Sequence, residues 1–430
     1  MADLLRALSS RNYRLFFGGQ GVSLIGTWIT RIATSWLVYR LTGSELLLGV
    51  VGFCGQIPTL LLAPFAGVFV DRYNRHRILV VTQVLSMLQS LALAILAFTG
   101  TITVGWILVL QVIQGVINAF DTPARQSFVV DMIEDRAHLP NAIALNSTMV
   151  NGARIIGPSI GGVLIAAFGE GWCFMIDAIS YLFVIGSLIA MRIEHANPER
   201  KKTTAIEELR EGFDYLRRFA PMWTTLLLLA IVATMGVPYT VLMPAIAATV
   251  LHGGPHTLGF LMTASGLGAL VGALYLASRT SVVGLGRAIT VATMVFGASL
   301  VLFSFSHQLW LSLLVLPFVG AGMMIEMAST NTFLQTIVEE KFRGRVMAFY
   351  AMSFLGTAPI GSLIAGVLAD RIGAQRTIMF GGLACIAGGI WFSRRLPRWR
   401  AAVRPIYIQR GILPDASAEA GPTTSPALRD

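Results

Sequence analysis

The stretch Gly67-Val68-Phe69-Val70-Asp71-Arg72-Tyr73-Asn74-Arg75-His76-Arg77 joins two apolar runs, 46–70 and 79–98, and gathers Asp71, Arg72, Arg75 and Arg77 at the join. Each flanking run is long enough to cross the hydrocarbon of a bilayer as a helix. The chain therefore leaves the membrane, turns in a short charged loop and re-enters it. Hydrophobic residues make up 55% of the 430, and charged residues only 13%, against about 25% in soluble domains. Too little polar surface remains for water to be the solvent of the whole.

Further apolar runs of spanning length appear on both sides. The first six are Phe16–Val38, Leu46–Val70, Leu79–Phe98, Val104–Phe120, Ile143–Phe168 and Trp172–Met191. Six more follow at Met222–Leu251, Leu258–Ala277, Ala288–Phe305, Leu309–Val338, Val346–Ala369 and Ile378–Phe392. The expected fold is an all-α membrane protein of about twelve transmembrane helices. The N-terminus has no short apolar stretch with a cleavage site, so the first run reads as a retained helix.

The polar break at 192–221 places Ile206, Leu209, Phe213 and Leu216 at the spacing of one helical face. It reads as an amphipathic linker between residues 1–191 and 222–397, with a disordered tail at 398–430. The two halves also repeat. Gly67 and Gly272, Gly115 and Gly320, and Asp121 and Glu326 are each 205 positions apart (272 − 67, 320 − 115, 326 − 121). Two pseudo-symmetric six-helix bundles that rock about a midplane cavity are the economical reading.

The 32 Lys and Arg against 22 Asp and Glu do not form a nucleic-acid face, because the basic residues sit in clusters between apolar runs. They set the topology instead. With the N-terminus inside, the inner segments hold Arg72, Arg75 and Arg77, Arg200 to Lys202, Arg217 and Arg218, Lys341 to Arg345, and the run from Arg394 to Arg410. The outer loops hold few, Arg371 and Arg376 among them. Both termini are expected in the cytoplasm. Cys54, Cys173 and Cys385 are scattered and read as packing residues, and no metal-ligand set, nucleophile–base pair or phosphate loop marks an enzyme or a cofactor.

The charged loop resembles the signature of the major facilitator superfamily, G-x-x-x-D-R-x-G-R-[KR], with Asn74 in place of its glycine. Asn tolerates the left-handed turn expected there. The resemblance implies that Asp71 meets the start of the helix at Val346 and that Arg72 and Arg75 complete a latch on the cytoplasmic side. A solvated basic loop that only sets topology is the alternative. The chain is also similar to the drug:proton antiporter branch that holds enterobactin-exporter-like and macrolide-efflux-like proteins, through Leu41-Thr-Gly-Ser44, Asp121-Thr-Pro-Ala-Arg125-Gln126, Asn141-Ala-Ile-Ala-Leu-Asn146 and Arg154-Ile-Ile-Gly157-Pro158-Ser-Ile-Gly161-Gly162. Gly157, Pro158, Gly161 and Gly162 match the fifth-helix antiporter motif, which implies efflux; helix packing with no bearing on direction is the alternative. Gln111 stands where proton-coupled members carry an arginine, so that role is not carried over.

Charges within the bilayer are costly unless paired or hydrated, which singles out Arg31, Arg154 and Glu326. Gln20, Ser23, Thr27, Arg31 and Thr34 form one stripe on the first helix, and Gln111, Gln114, Asn118 and Asp121 another on the fourth. Gln20, Thr27, Arg31, Gln111, Gln114 and Asn118, with Asn151, Arg154, Tyr239 and Met323, are the candidate substrate cavity. The 205-residue offset carries the fourth-helix stripe to Leu316, Val319, Met323 and Glu326, an apolar wall with one carboxylate. Such a cavity suits an amphipathic or aromatic substrate. Glu326 is the first candidate to carry a proton and Asp121 the second. A structural hydrogen bond at Glu326, and static pairing of Arg31 and Arg154, are the alternatives.

The expected activity is proton-driven export of a hydrophobic small molecule by a monomer in a bacterial inner membrane, in contact with lipid. A dedicated siderophore exporter of the same fold, or a receptor that binds without translocating, are the other readings.

Overall fold

The computed structural model describes residues 2–192, 205–279 and 281–414. No strand occurs among them. Twelve long helices build two halves: α1 (Arg11–Thr42), α2 (Glu45–Arg72), α3 (Arg75–Phe98), α4 (Val104–Phe128), α5 (Leu139–Phe168) and α6 (Glu170–Ala190), then α7 (Ala220–Val250), α8 (Pro255–Ala277), α9 (Leu285–Ser304), α10 (Leu309–Ile337), α11 (Glu340–Ile372) and α12 (Ala374–Gln409). Among the described residues eleven of these are long and apolar enough to cross a membrane. The exception is α1, whose apolar content is diluted by Arg11, Arg14, Arg31, Arg40 and its polar stripe. At 32 residues α1 is nonetheless long enough to span, and it packs against α5 and α6.

The repeat is visible in the packing. In the first half α2 lies along α4, and in the second α8 lies along α10. One matched pair of glycines sits at those seams: a Cβ on Gly115 would meet the Gly55 carbonyl at 2.8 Å, and one on Gly320 would collide with the Ser265 carbonyl.

Three apolar cores define the shape. One runs through both halves, from Ile29, Leu48 and Ile165 to Tyr239, Leu261 and Ala365. A second belongs to the first half alone, around Phe16, Leu79 and Phe128. The third belongs to the second half alone, around Leu229, Phe333 and Phe392. The separate cores lie at the end that carries the basic loops, and the shared core lies toward the opposite end. The halves are thus joined at one end and parted at the other.

One sequence expectation changes here. The tail expected from residue 398 begins later, because α12 continues as helix to Gln409. Trp399, Val403 and Tyr407 recur every fourth residue and bury one face of that extension, where the Trp399 indole N–H donates to Thr225 Oγ1 at 3.2 Å. The linker contains the expected helix, Ala205–Arg218, with Leu216 buried and Arg345 paired to Glu211 at 2.6 Å. Of its expected apolar face, the side chains of Ile206 and Leu209 lie outside the described residues.

Candidate functional site

The charged loop folds as a helix–helix corner. α2 ends at Arg72 and α3 starts at Arg75, with Asn74 as its N-cap. The left-handed turn expected at Asn74 is not formed: its φ is −65° and ψ 110°, and its Oδ1 accepts from the Arg77 N–H at 3.1 Å. Asn serves turns and N-caps alike, and here the start of α3 selects the cap.

Among the described residues, the basic members of the expected latch make no ion pair with the second half. Arg75 pairs with Asp131 of its own half at 3.2 Å, Arg72 and Arg77 are exposed, and a Cβ on Gly67 would meet nothing within 4 Å. Asp71 belongs to the last turn of α2; its side chain lies outside the described residues.

Of the candidate cavity residues, Thr27 and Arg31 are exposed, and Gln111, Gln114, Asn118, Asn151 and Arg154 are half-buried. Gln114 Nε2 donates to Ser86 Oγ at 3.3 Å and to Asn118 Oδ1 at 3.1 Å. Gln20, Tyr239 and Met323 do not line open space. Gln20 is buried within the first half. Tyr239 shares a 2.6 Å hydrogen bond with Ser265 Oγ. Met323, with Leu316 and Val319, is packed into the shared core. The expected apolar wall is therefore closed where the halves meet.

Trp28, which the polar pattern passes over, sits at the centre of the accessible residues. Arg31 lies 4.8 Å and Arg154 5.8 Å from its ring centroid. The fifth-helix glycines set this arrangement: a Cβ on Gly157 would collide with Trp28 Cβ, and one on Gly161 would come within 3.3 Å of Ile29 Cα. On another side of α5, a Cβ on Gly162 would lie 3.0 Å from Gly259 Cα of α8, and Ser159 Oγ meets Thr263 Oγ1 at 2.7 Å. Small residues let helix backbones approach in lipid, so α5 is held against α1 in its own half and α8 in the other.

The two acids of the repeat differ. Asp121 is held on both oxygens: Thr82 Oγ1 at 2.9 Å and Gln83 Nε2 at 2.7 Å donate to Oδ1, and Arg125 meets Oδ2 at 2.6 Å. Glu326 is fully buried in the second half; Thr330 Oγ1 donates to Oε1 at 3.4 Å, and Oε2 has no hydrogen-bond partner. A third acid, Asp177, is buried as well. It accepts from Ser90 Oγ at 2.8 Å on Oδ2, while Oδ1 has no partner. The facing small residues that seal it, Gly26 among them, come from α1.

A family model described as transmembrane secretion effector matches residues 4–411. The chain is 26% identical over 392 residues to the staphyloferrin A transporter of Staphylococcus aureus, covering 89% of this chain and 96% of that one. It is 28% identical over 385 residues to the multidrug efflux pump Tap of Mycolicibacterium fortuitum, covering 87% and 93%. Among solved structures, the nucleoside transporter NupG superposes with a TM-score of 0.70 at 12% identity, covering 89% of this chain and 98% of that one. That likeness concerns the fold alone.

Proposed function

Since this chain belongs to the transmembrane secretion effector family of the major facilitator superfamily, which comprises transporters and not enzymes, we propose that it exports hydrophobic or amphipathic small molecules by alternating access, driven by proton entry. The observation that carries the reading is the set of three cores, one shared and two separate. A carrier must expose one site to either side in turn, and a protein joined at one end and parted at the other is half of such a cycle. The accessible Thr27 and Arg31 lie where the shared core begins. Relatives named for a siderophore and for multidrug efflux support small-molecule cargo.

The halves, 1–191 and 222–397, are the rocking units, and 192–221 links them. The basic loops favour a bacterial inner membrane with both termini in the cytoplasm, so the parted end faces inward. Closing that end brings Asp71, Arg72 and Arg75 to the start of α11, and Arg75 leaves Asp131. Glu326 is the proton carrier of this reading: its unpartnered Oε2 in a sealed interior has no cation beside it among the described residues. Asp121, engaged on every side, is assigned to holding α3 and α4 together.

Uptake of a set of hydrophobic probes, anionic, neutral and cationic, into everted vesicles tests the reading. Accumulation is expected to collapse with a proton uncoupler and to fall at least ten-fold in Glu326→Gln. Accumulation indifferent to both would remove the proton from the mechanism. Binding without counterflow for any tested ligand would favour a receptor.

A further inference from the structure

Two guanidiniums share one indole at the apex of the cleft. Arg31 of α1 and Arg154 of α5 both lie over Trp28 and are within electrostatic reach of one another. Neither forms an ion pair or a hydrogen bond among the described residues. The buried acids of the same half among the described residues are engaged elsewhere: Asp121 by Arg125, Glu170 by Arg40 at 2.8 Å, and Asp177 by Ser90. The arrangement has no counterpart in the second half, where the buried acid is Glu326 and no arginine faces it among the described residues.

Unpaired arginines in a membrane interior stand only where water or a counter-charge reaches them. Arg31 is exposed although it lies well inside α1, which in this reading means that water reaches it. Stacking on Trp28 attracts each cation to the ring face but leaves its charge intact. When the parted end closes, that water is expelled. Two like charges then remain with no anion, at the point where the protein interior screens them least.

We infer that the substrate is an amphipathic organic anion, a carboxylate, sulfonate or phosphate on an apolar or aromatic body. Its acidic group seats between Arg31 and Arg154, and its body lies along Trp28. Arg is suited to planar oxyanions through its forked donors. The bound anion offsets the charge of the pair, by one unit for a carboxylate or sulfonate and by up to two for a phosphate, so closure of the loaded carrier escapes much of the penalty that holds the empty one open. The inference rests on the export reading for its direction but not for its binding chemistry.

The test compares salicylate, its neutral carboxamide salicylamide, and the cation tetraphenylphosphonium, each radiolabelled, on the purified full-length protein. Salicylate is expected to bind at least ten-fold more tightly than either of the others. Arg31→Gln and Arg154→Gln are each expected to lose at least ten-fold of that affinity and to leave salicylamide binding unchanged. Arg31→Lys and Arg154→Lys retain the charge but not the fork and are expected to lose less of the binding than the Gln variants, which guards against loss of fold in the latter. Salicylamide or tetraphenylphosphonium binding as tightly as salicylate would overturn the inference. So would Gln variants with unaltered salicylate affinity, or failure of salicylate, benzenesulfonate and phenyl phosphate all to bind. Everted vesicles separate the two readings. Accumulation of tetraphenylphosphonium without salicylate leaves export standing and removes the anion, whereas salicylate binding without accumulation of any probe removes export and leaves the site.

Discussion

Asp121 is bound from three directions, by Thr82 and Gln83 of α3 and by Arg125 one turn along its own helix. Its side chain is 6% exposed and that of Arg125 25%, so removing the cation strands a charge in a dry place. Breaking such a pair from one side costs about 3 kcal/mol or more, while removing both charges together costs far less. Arg125→Gln should therefore lower the melting temperature in detergent more than Asp121→Asn/Arg125→Gln does, with scanning fluorimetry as the measurement. If the single and double variants melt together, the pair is not holding the helices. Half of this was legible in advance. Asp121 and Arg125 stand four residues apart, the spacing of an ion pair on one helix face; Thr82 and Gln83 reach the site from another helix, which no local spacing reveals. Trp28 was hidden for a similar reason. It sits beside the polar stripe, and only the crossing of α5 makes it the meeting point of two arginines. Asn74 was misjudged because its side chain suits two backbone geometries, and tertiary context chose between them.

At the scale of elements, α5 carries its small residues on two faces. Gly157 and Gly161 admit α1, whereas Gly162 admits α8. The cluster was readable in the sequence; its division between a seam within one half and a seam between the halves was not, because that depends on which helices arrive. The seam between α5 and α8 includes the 2.7 Å contact of Ser159 with Thr263, close enough for a disulfide to replace it. In a background lacking the free Cys54, Cys173 and Cys385, Ser159→Cys/Thr263→Cys should cross-link on oxidation and stop transport, and reductant should restore it. Full transport by the oxidised pair would mean that this seam never opens. α1 and α12 show why apolar windows fall short at the ends of the chain. Arginines dilute α1, and those from Arg394 to Arg410 mask the buried face of Trp399, Val403 and Tyr407, although the four-residue recurrence of that face was there to be read.

At the scale of the whole molecule, the repeat, the twelve helices and the membrane were all legible, since length, composition and the 205-residue offset need no tertiary contact. Conformation was not, because one sequence must satisfy both ends of the cycle. The parted end predicts a labelling pattern. A membrane-impermeant maleimide should reach Thr27→Cys in everted vesicles and fail to reach it in right-side-out cells, in the background without native cysteines. The reverse pattern would invert the topology. Each half is a bundle of helices about 45 Å long, from about 30 residues at 1.5 Å per residue, and the shared core occupies only one end of it. That core is a fulcrum placed off centre, and the halves are unequal levers about it. A rotation of about 10° at the glycine seams, which asks little of the closely packed backbones there, carries the far tips of helices of that length through about 5 Å. The mouth of the cleft is thus the amplified end of a very small hinge, and stiffness at Gly49, Gly162 and Gly259 sets how far it swings.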